Sequence, residues 1–366
     1  MKKIVILHTA HWQQAIGGSE LQIKFLIEKL ISENYKIYYI YEDTKTHFVN
    51  HHKLKLVPIQ SKIKSKRFGD RWVFQKNKVF KHLNEIKPDG IYTRTHSSWS
   101  GFATKYAVKN NIPHIWAVAS DTDLPKITHK ASLLKPRDNL ARRLMNFTVH
   151  NCSHVIVQNS EQLKKLKELY QRDGLLINQS SKKIDDVSLL HKSHKVLEVI
   201  WVANLKTIKQ PELFLDIVKK YANDARINFT MVGRSSNYYK EKIKELDSIL
   251  NFKFLGELKN EEVNALLLKS HILINTSLAE GFSNTFVQGW LRKVVVVSMN
   301  SNPSDILTKQ NIGYIENDID KIKARIDFLI ENKKNLMIMA DKAYHYALEH
   351  HDIDRNLNKV TALFKK

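Results

Sequence analysis

The sequence predicts an α/β protein with two doubly wound halves, and three observations predict it. Short apolar runs alternate with longer stretches of helical periodicity, the signature of strand–helix–strand units on a mostly parallel sheet. The alternation starts twice, at the N-terminus and again near residue 195, with a polar, poorly periodic stretch before the second start. The chain has 366 residues, 43% of them apolar, which is enough for two cores of ordinary size.

The first run is IVIL, residues 4 to 7. A polar, glycine-containing loop follows, then a helix whose Ile23, Leu26, Ile27, Leu30 and Ile31 have the spacing of a core-facing stripe. KIYYIY (36 to 41), GIYTR (90 to 94), HIWAVA (114 to 119) and SHVIVQ (153 to 158) are the next strands. In the second half the strands are VLEVIWVA (196 to 203), INFTMVG (227 to 233), FKFLG (252 to 256), HILINT (271 to 276) and VVVVS (294 to 298). Gln179 to Lys195 reads as the linker, which gives domains 1–190 and 191–345, with a C-terminal helix over 346–366.

The single cysteine, Cys152, excludes an internal disulfide framework. The start, MKKIVILHTAH, turns polar too soon for a secretory signal, so a cytoplasmic location is expected. No run approaches the roughly 18 to 20 apolar residues of a membrane span. Lys plus Arg number 59 against 37 Asp plus Glu, a net charge of +22 that favours anionic partners. Residues 61 to 87 hold nine basic and two acidic side chains, with Phe68, Trp72, Phe74 and Phe80 interleaved; residues 125 to 145 hold six basic and one acidic. Two readings fit these segments, a solvated helix face in a lysine-rich chain and a surface for anionic lipid headgroups. With no zinc-finger spacing, basic zipper or RNP-like aromatic motif, nucleic acid is not expected as a partner.

In an open parallel sheet, ligands lie outside the carboxyl ends of the strands, so the loops there carry the candidate chemistry. After the first strand, Gly17 and Gly18 permit a tight turn, and Ser19 with Gln22 has capping-box spacing for the following helix. Lys206 and Lys209 precede a helix that Pro211 starts, where two ammonium groups can converge on a phosphate. In INTSLAEGFSNTFVQGWLRK, residues 274 to 293, the loop carries Glu280, Ser283 or Asn284 caps the next helix through the amides of Thr285 and Phe286, and Gln288 lies about one turn in. A carboxylate that accepts hydroxyl hydrogen bonds, beside amides that hold phosphate, suits a sugar on a diphosphate. Ser120, Asp121 and Asp123 follow HIWAVA, and His96 follows GIYTR. A helix cap or turn at the aspartates and a packing histidine are the plain readings of these residues.

On these residues together the chain resembles the GT-B retaining glycosyltransferases of the glycosyltransferase family 4, or glycosyl transferases group 1, type. The E-x7-E motif corresponds to E280-GFSNTFV-Q288, the glycine-rich first loop to Gly17-Gly18-Ser19-Glu20, and the basic phosphate loop to Ala203 through Lys209. Residues 254 to 282 form the most specific segment. The resemblance implies two Rossmann-like doubly wound domains facing across a cleft, the C-terminal helix packing back on the first, and no metal or cofactor. It implies transfer of a sugar from a nucleotide diphosphate sugar, UDP-sugar first, to a hydroxyl of a saccharide or lipid-linked saccharide with retention of configuration. Surface polysaccharide or glycolipid synthesis, at the inner face of a cell membrane, is the implied setting.

The residues implied to bind the donor are Gly17, Gly18, Asn204, Lys206, Lys209, Gly233, Glu280, Gly281, Phe282, Ser283, Asn284, Thr285 and Gln288. Glu280 and Lys209 are implied at the catalytic centre; where the family often carries a histidine after the fifth strand, Ser120, Asp121 and Asp123 stand instead, so Asp121 is the better candidate there to touch the acceptor and His96 the second. Glu280 would hold the donor sugar, position 288 the ribose, and Lys209 the diphosphate. Three departures stand out: Gln288 replaces the family's second Glu, Asn204 its Arg, and Val295 its Pro. A relative that binds nucleotide sugar or a partner without turnover is therefore the alternative reading. A dinucleotide dehydrogenase is disfavoured, because no G-x-G-x-x-G follows the first strand.

Overall fold

The computed structural model describes residues 1–12, 17–42, 51–61, 70–124, 136–193 and 195–365. Phe68 and the basic residues of 62–69 and 125–135 lie outside the described residues.

The chain divides into two compact units, Met1–Asn178 with Ile353–Lys366, and Gln179–Asp352. The division falls at 178/179 rather than at 190/191, because Gln179 is already bound into the second unit. Its side-chain amide donates to the Phe282 carbonyl (2.7 Å) and its own carbonyl meets His351 Nδ1 (2.6 Å). The expected helix over 346–366 is two helices, Lys333–His350 and Ile353–Ala362, broken at His351 and Asp352, and only the second joins the first unit. There Leu357, Val360, Leu363 and Phe364 complete the core under the first helix and Ile4, Ile6 and Tyr92.

The first unit holds a parallel sheet of β1 (Lys3–Leu7), β2 (Lys36–Glu42), β3 (Leu54–Ile59), β4 (Gly90–Arg94), β5 (His114–Ala117), β6 (His154–Val157) and β7 (Leu175–Leu176). Their spatial order is β3-β2-β1-β4-β5-β6-β7. In the second unit β8 (Leu197–Val202), β9 (Ile227–Val232), β10 (Phe252–Phe254), β11 (Ile272–Asn275), β12 (Val295–Ser298) and β13 (Gly313–Ile315) lie in the order β10-β9-β8-β11-β12-β13. In each sheet the order reverses beside the first strand of the unit, which is where a parallel sheet opens a crevice for ligands.

Central strands read as unbroken apolar runs because helices cover both faces. In the second unit Ile200, Leu273 and Val296 face one core, with Trp290, Phe286 and Leu307, while Val199, Ile272, Val295 and Val297 face the other, with Phe214, Phe229 and Ile326. The three strands that the apolar pattern did not mark, β3, β7 and β13, are all edge strands. Pro58 in β3 cannot donate to a ladder and is tolerated at an edge.

Burial holds three histidines neutral well below the usual imidazole range, which bears on the acid stability of the fold. Burial lowers His114 to about 3, His11 to about 4 and His351 to about 4. The two ring nitrogens of His114 meet the hydroxyls of Thr93 (2.9 Å) and Thr104 (3.0 Å), so the neutral ring is satisfied without a charge. With folded values below the unfolded ~6.5, the unfolded chain binds more protons in the interval, so stability is complete above about pH 6.5 and falls as pH drops toward 4. Urea titrations across this range are expected to lose about 1.4 kcal/mol per pH unit for each such histidine. His114→Gln should remove one such increment from the first unit's slope; an unchanged slope would contradict the assignment.

Candidate functional site

Lys209 closes a short 3-10 turn, Thr207–Lys209, after β8. Gln210, at φ 45°, then reverses the chain into the helix Pro211–Lys220, whose first residue needs no amide partner. The turn is bound to the loop that leaves β11. Leu278 N donates to the Ile208 carbonyl (2.9 Å) and the Thr276 hydroxyl to the Lys209 carbonyl (2.7 Å), while the buried Trp201 indole donates to Thr276 Oγ1 (3.0 Å). These bonds set Lys209 Nζ 2.7 Å from Glu280 Oε1. The same oxygen accepts from Ser277 Oγ (2.8 Å) and Asn275 Nδ2 (3.1 Å). The two charged side chains remain 24% and 13% exposed, so the pair is fixed yet reachable.

The other residues nominated in this unit take several roles. Asn204 Oδ1 accepts from Arg234 N (3.4 Å) and Leu205 N donates to the Arg234 carbonyl (2.9 Å), which joins the loops after β8 and β9. Gly233 has φ +154°, and a Cβ there would stand 1.7 Å from the Ala203 carbonyl, so its close approach is to its own chain. Lys206 is exposed, and Gly281 and Phe282 are buried. Ser283 occupies the cap of the helix Asn284–Trp290, but its hydroxyl pairs with Thr285 Oγ1 (2.8 Å) and caps no amide. The expected side-chain cap is thus replaced by a hydroxyl pair. Gln288 is buried; its amide nitrogen donates to Asn260 Oδ1 (2.6 Å) and Asn264 Oδ1 (3.0 Å), leaving the carbonyl oxygen as its acceptor.

In the first unit the helix begins at Gly18 with Gly17 as its cap, not at the Ser19–Gln22 box. Glu20 is then the third helical residue, and its carboxylate folds back over the turn. A Cβ on Gly17 would lie 2.3 Å from Glu20 Oε2. His8 Nε2, at the end of β1, is 2.9 Å from Glu20 Oε1, and its Nδ1 is 3.3 Å from the Arg94 carbonyl. Burial raises the Glu20 carboxyl, but the bond to His8, the charge of His8, its own amide and the charge of Arg94 together hold it below the usual carboxylate value. Asp123 is a cap, accepting from the amides of His96 (3.0 Å), Ala119 (2.8 Å) and Ser120 (3.1 Å). Asp121 accepts from Gln162 Nε2 (3.0 Å). Burial lowers the His96 imidazole, against the opposing charges of Asp123, Asp70 and Asp138.

Residues 181–346 match the family model described as Glycosyl transferases group 1. The second unit carries a group 1 glycosyl transferase domain. Its match contains Lys209, Glu280 and Gln288 together with Asn275 and Ser277. No curated protein sequence matches the chain. Among solved structures, sucrose-phosphate synthase from Thermosynechococcus elongatus is 12% identical with a TM-score of 0.79, covering 100% of this chain and 98% of its own. Anabaena HepE in complex with UDP and glucose is 16% identical with a TM-score of 0.73, covering 100% of both chains. WaaG, a glycosyltransferase involved in lipopolysaccharide biosynthesis, is 12% identical with a TM-score of 0.75, covering 99% of each. At these identities the likeness shows the fold, which is GT-B with two parallel-sheet α/β units.

Among the described residues no group of three or more His, Cys, Asp and Glu is arranged to hold a metal ion, and no helix is long and apolar enough to cross a membrane. Sequence reasoning missed Asn275 and Thr276, which it took only as the end of a strand, and Ser277, to which it gave no role. The signal was present as three consecutive hydrogen-bonding side chains at the carboxyl end of a buried run.

Proposed function

We propose that the protein transfers a sugar from a nucleotide diphosphate sugar to a hydroxyl of a saccharide or lipid-linked saccharide, with retention of configuration. The observation that carries this reading is the Lys209–Glu280 contact of 2.7 Å at the carboxyl ends of β8 and β11. One site there offers a cation for a diphosphate and a carboxylate, already gathering hydroxyl and amide donors, for sugar hydroxyls. The group 1 domain and a neighbour of the same fold that holds UDP and glucose support a UDP-sugar as donor.

In the proposed step the bond from the anomeric carbon to the diphosphate oxygen breaks, and the bond to the acceptor oxygen forms on the same face. The acceptor proton passes to the departing phosphate, so no dedicated protein base is required. Lys209 stabilises the charge that builds on the phosphate, a task on the order of 10²-fold or more in rate for a well-placed donor. Lys206, exposed nearby in the chain, adds a second cation in place of the arginine that Asn204 lacks. Gln288 accepts the ribose hydroxyls through its remaining carbonyl oxygen. The acceptor is assigned to the first unit, with Asp121 and His96 as its candidate contacts.

Steady-state kinetics with UDP-sugars and a membrane extract as acceptor source test the reading. Glu280→Gln is expected to lower kcat by about tenfold or more, because the carboxylate stands beside developing positive charge on the sugar. Gln288→Glu is expected to change mainly KM, by about tenfold or less, since the ribose bond exists in ground and transition states alike. A full donor panel that binds without turnover would favour the alternative, an inactive relative that holds nucleotide sugar.

The acceptor is further proposed to be membrane-borne. On the first unit Phe74 is 59% exposed and Arg137 lies over its ring at 5.0 Å, with Arg71 over Trp72 at 5.4 Å and Lys76 over Phe80 at 5.8 Å. Each Lys or Arg near an anionic surface contributes about 1 kcal/mol. Flotation with anionic liposomes is expected to carry the protein at low salt and release it at high salt. Equal, negligible binding to anionic and neutral liposomes would remove the membrane assignment.

A further inference from the structure

β4 is buried along all five residues, yet it ends in an arginine. Arg94 is 7% exposed, and among the described residues its guanidinium makes a single hydrogen bond, the long one of 3.4 Å from Nη1 to the Tyr92 hydroxyl. Its Nε is buried without a partner. No carboxylate of the described residues forms an ion pair with it; its charge helps to lower the Glu20 carboxyl, whose Oε1 is bound to His8. Burying a charge costs several kcal/mol unless it is paired, so a fork left with open donors needs a reason.

The backbone around Arg94 is held in a costly form. Thr95 has φ +68°, a left-handed conformation that a β-branched residue avoids. It is fixed there by bonds from its amide to the Ala117 carbonyl (3.0 Å) and to its carbonyl from the Trp116 indole (3.0 Å) and the Ser100 hydroxyl (3.2 Å). The turn ends β4 at the carboxyl edge of the sheet, beside β1 and His8, where a parallel sheet receives its ligands.

We propose that Arg94 is an anion-binding residue of the first unit and that it takes a carboxylate or phosphate group carried by the saccharide acceptor. That the ligand is an acceptor rests on the sugar transfer proposed above. A guanidinium presents parallel N–H donors to two oxygens of one oxyanion, which makes it selective for a planar carboxylate and competent for phosphate. The acceptor is accordingly an acidic saccharide, and a neutral one is discriminated against because it leaves the buried fork unpaired.

Calorimetric or ligand-observed NMR titration of the full chain with glucuronate, glucose 6-phosphate, inorganic phosphate and glucose tests this. Glucuronate and glucose 6-phosphate are expected to bind at least about tenfold more tightly than glucose, with the preference shrinking at high salt. Arg94→Gln should bring all of them to the level of glucose. Arg94→Lys should keep part of the phosphate preference and lose the carboxylate preference, and it decides the matter if the Gln variant does not fold. Equal binding of charged and neutral sugars, or a preference unchanged in the variants, overturns the proposal; inorganic phosphate that binds as tightly as glucose 6-phosphate overturns its saccharide part. UDP-glucose titrated separately keeps the two readings apart, since failure to bind it sinks the transfer reading and leaves Arg94 to be judged on the sugar panel.

Discussion

The donor site proposed for the second unit turns on one contact, the ammonium of Lys209 against the carboxylate of Glu280 at 2.7 Å. Each partner stands on a loop that no regular ladder fixes, and an ion pair between two such loops would contribute little by itself. What makes it definite is the backbone beneath it. The Leu278 amide and the Thr276 hydroxyl both bind carbonyls of the turn that carries Lys209, and Trp201 anchors Thr276 from the core. Asn275 and Ser277 then hold the acceptor oxygen of Glu280 in place. The polar residues that end β11 thus convert the rigidity of the sheet into a defined position for a charge pair, which is the preorganisation that electrostatic stabilisation requires.

The first unit solves the same problem with different parts. Its helix N-terminus at Gly17 and Gly18 is covered by the unit's own Glu20, which His8 holds from the end of β1. A helix N-terminus favours a negative charge, and here the chain supplies one. The loops after β4 and β5 are stiffened by Asp123, whose carboxylate receives three amides, and by the left-handed turn at Thr95. Those bonds consume Asp123 and tether Asp121, while among the described residues the buried guanidinium of Arg94 keeps open donors.

Much of the fold was legible because its central strands are long apolar runs bracketed by polar loops, as in IVIL, VLEVIWVA and HILINT. Three of the four edge strands were not, since β3 alternates buried and exposed residues and contains Pro58, while β7 and β13 have two and three residues. The pairing of Lys209 with Glu280 was legible only as two charged loops; their convergence depends on β8 and β11 being neighbours, which no local pattern encodes. The helix starts were misplaced where a side chain other than the local box does the work. Glu20 folding back on Gly17 and the Ser283–Thr285 hydroxyl pair are both tertiary choices among equivalent polar residues. Arg94 was hidden by its place at the end of a strand, although a charged residue inside a run buried on both faces was itself the clue.

A double-mutant cycle on UDP-glucose affinity tests the central claim most directly, with Lys209→Ala, Glu280→Ala and the pair titrated calorimetrically against the parent. If the two side chains form one donor site, the double variant should lose less than the sum of the single losses, with a coupling of about 1 kcal/mol or more. Losses that simply add, or a parent that does not bind UDP-glucose, would contradict the account.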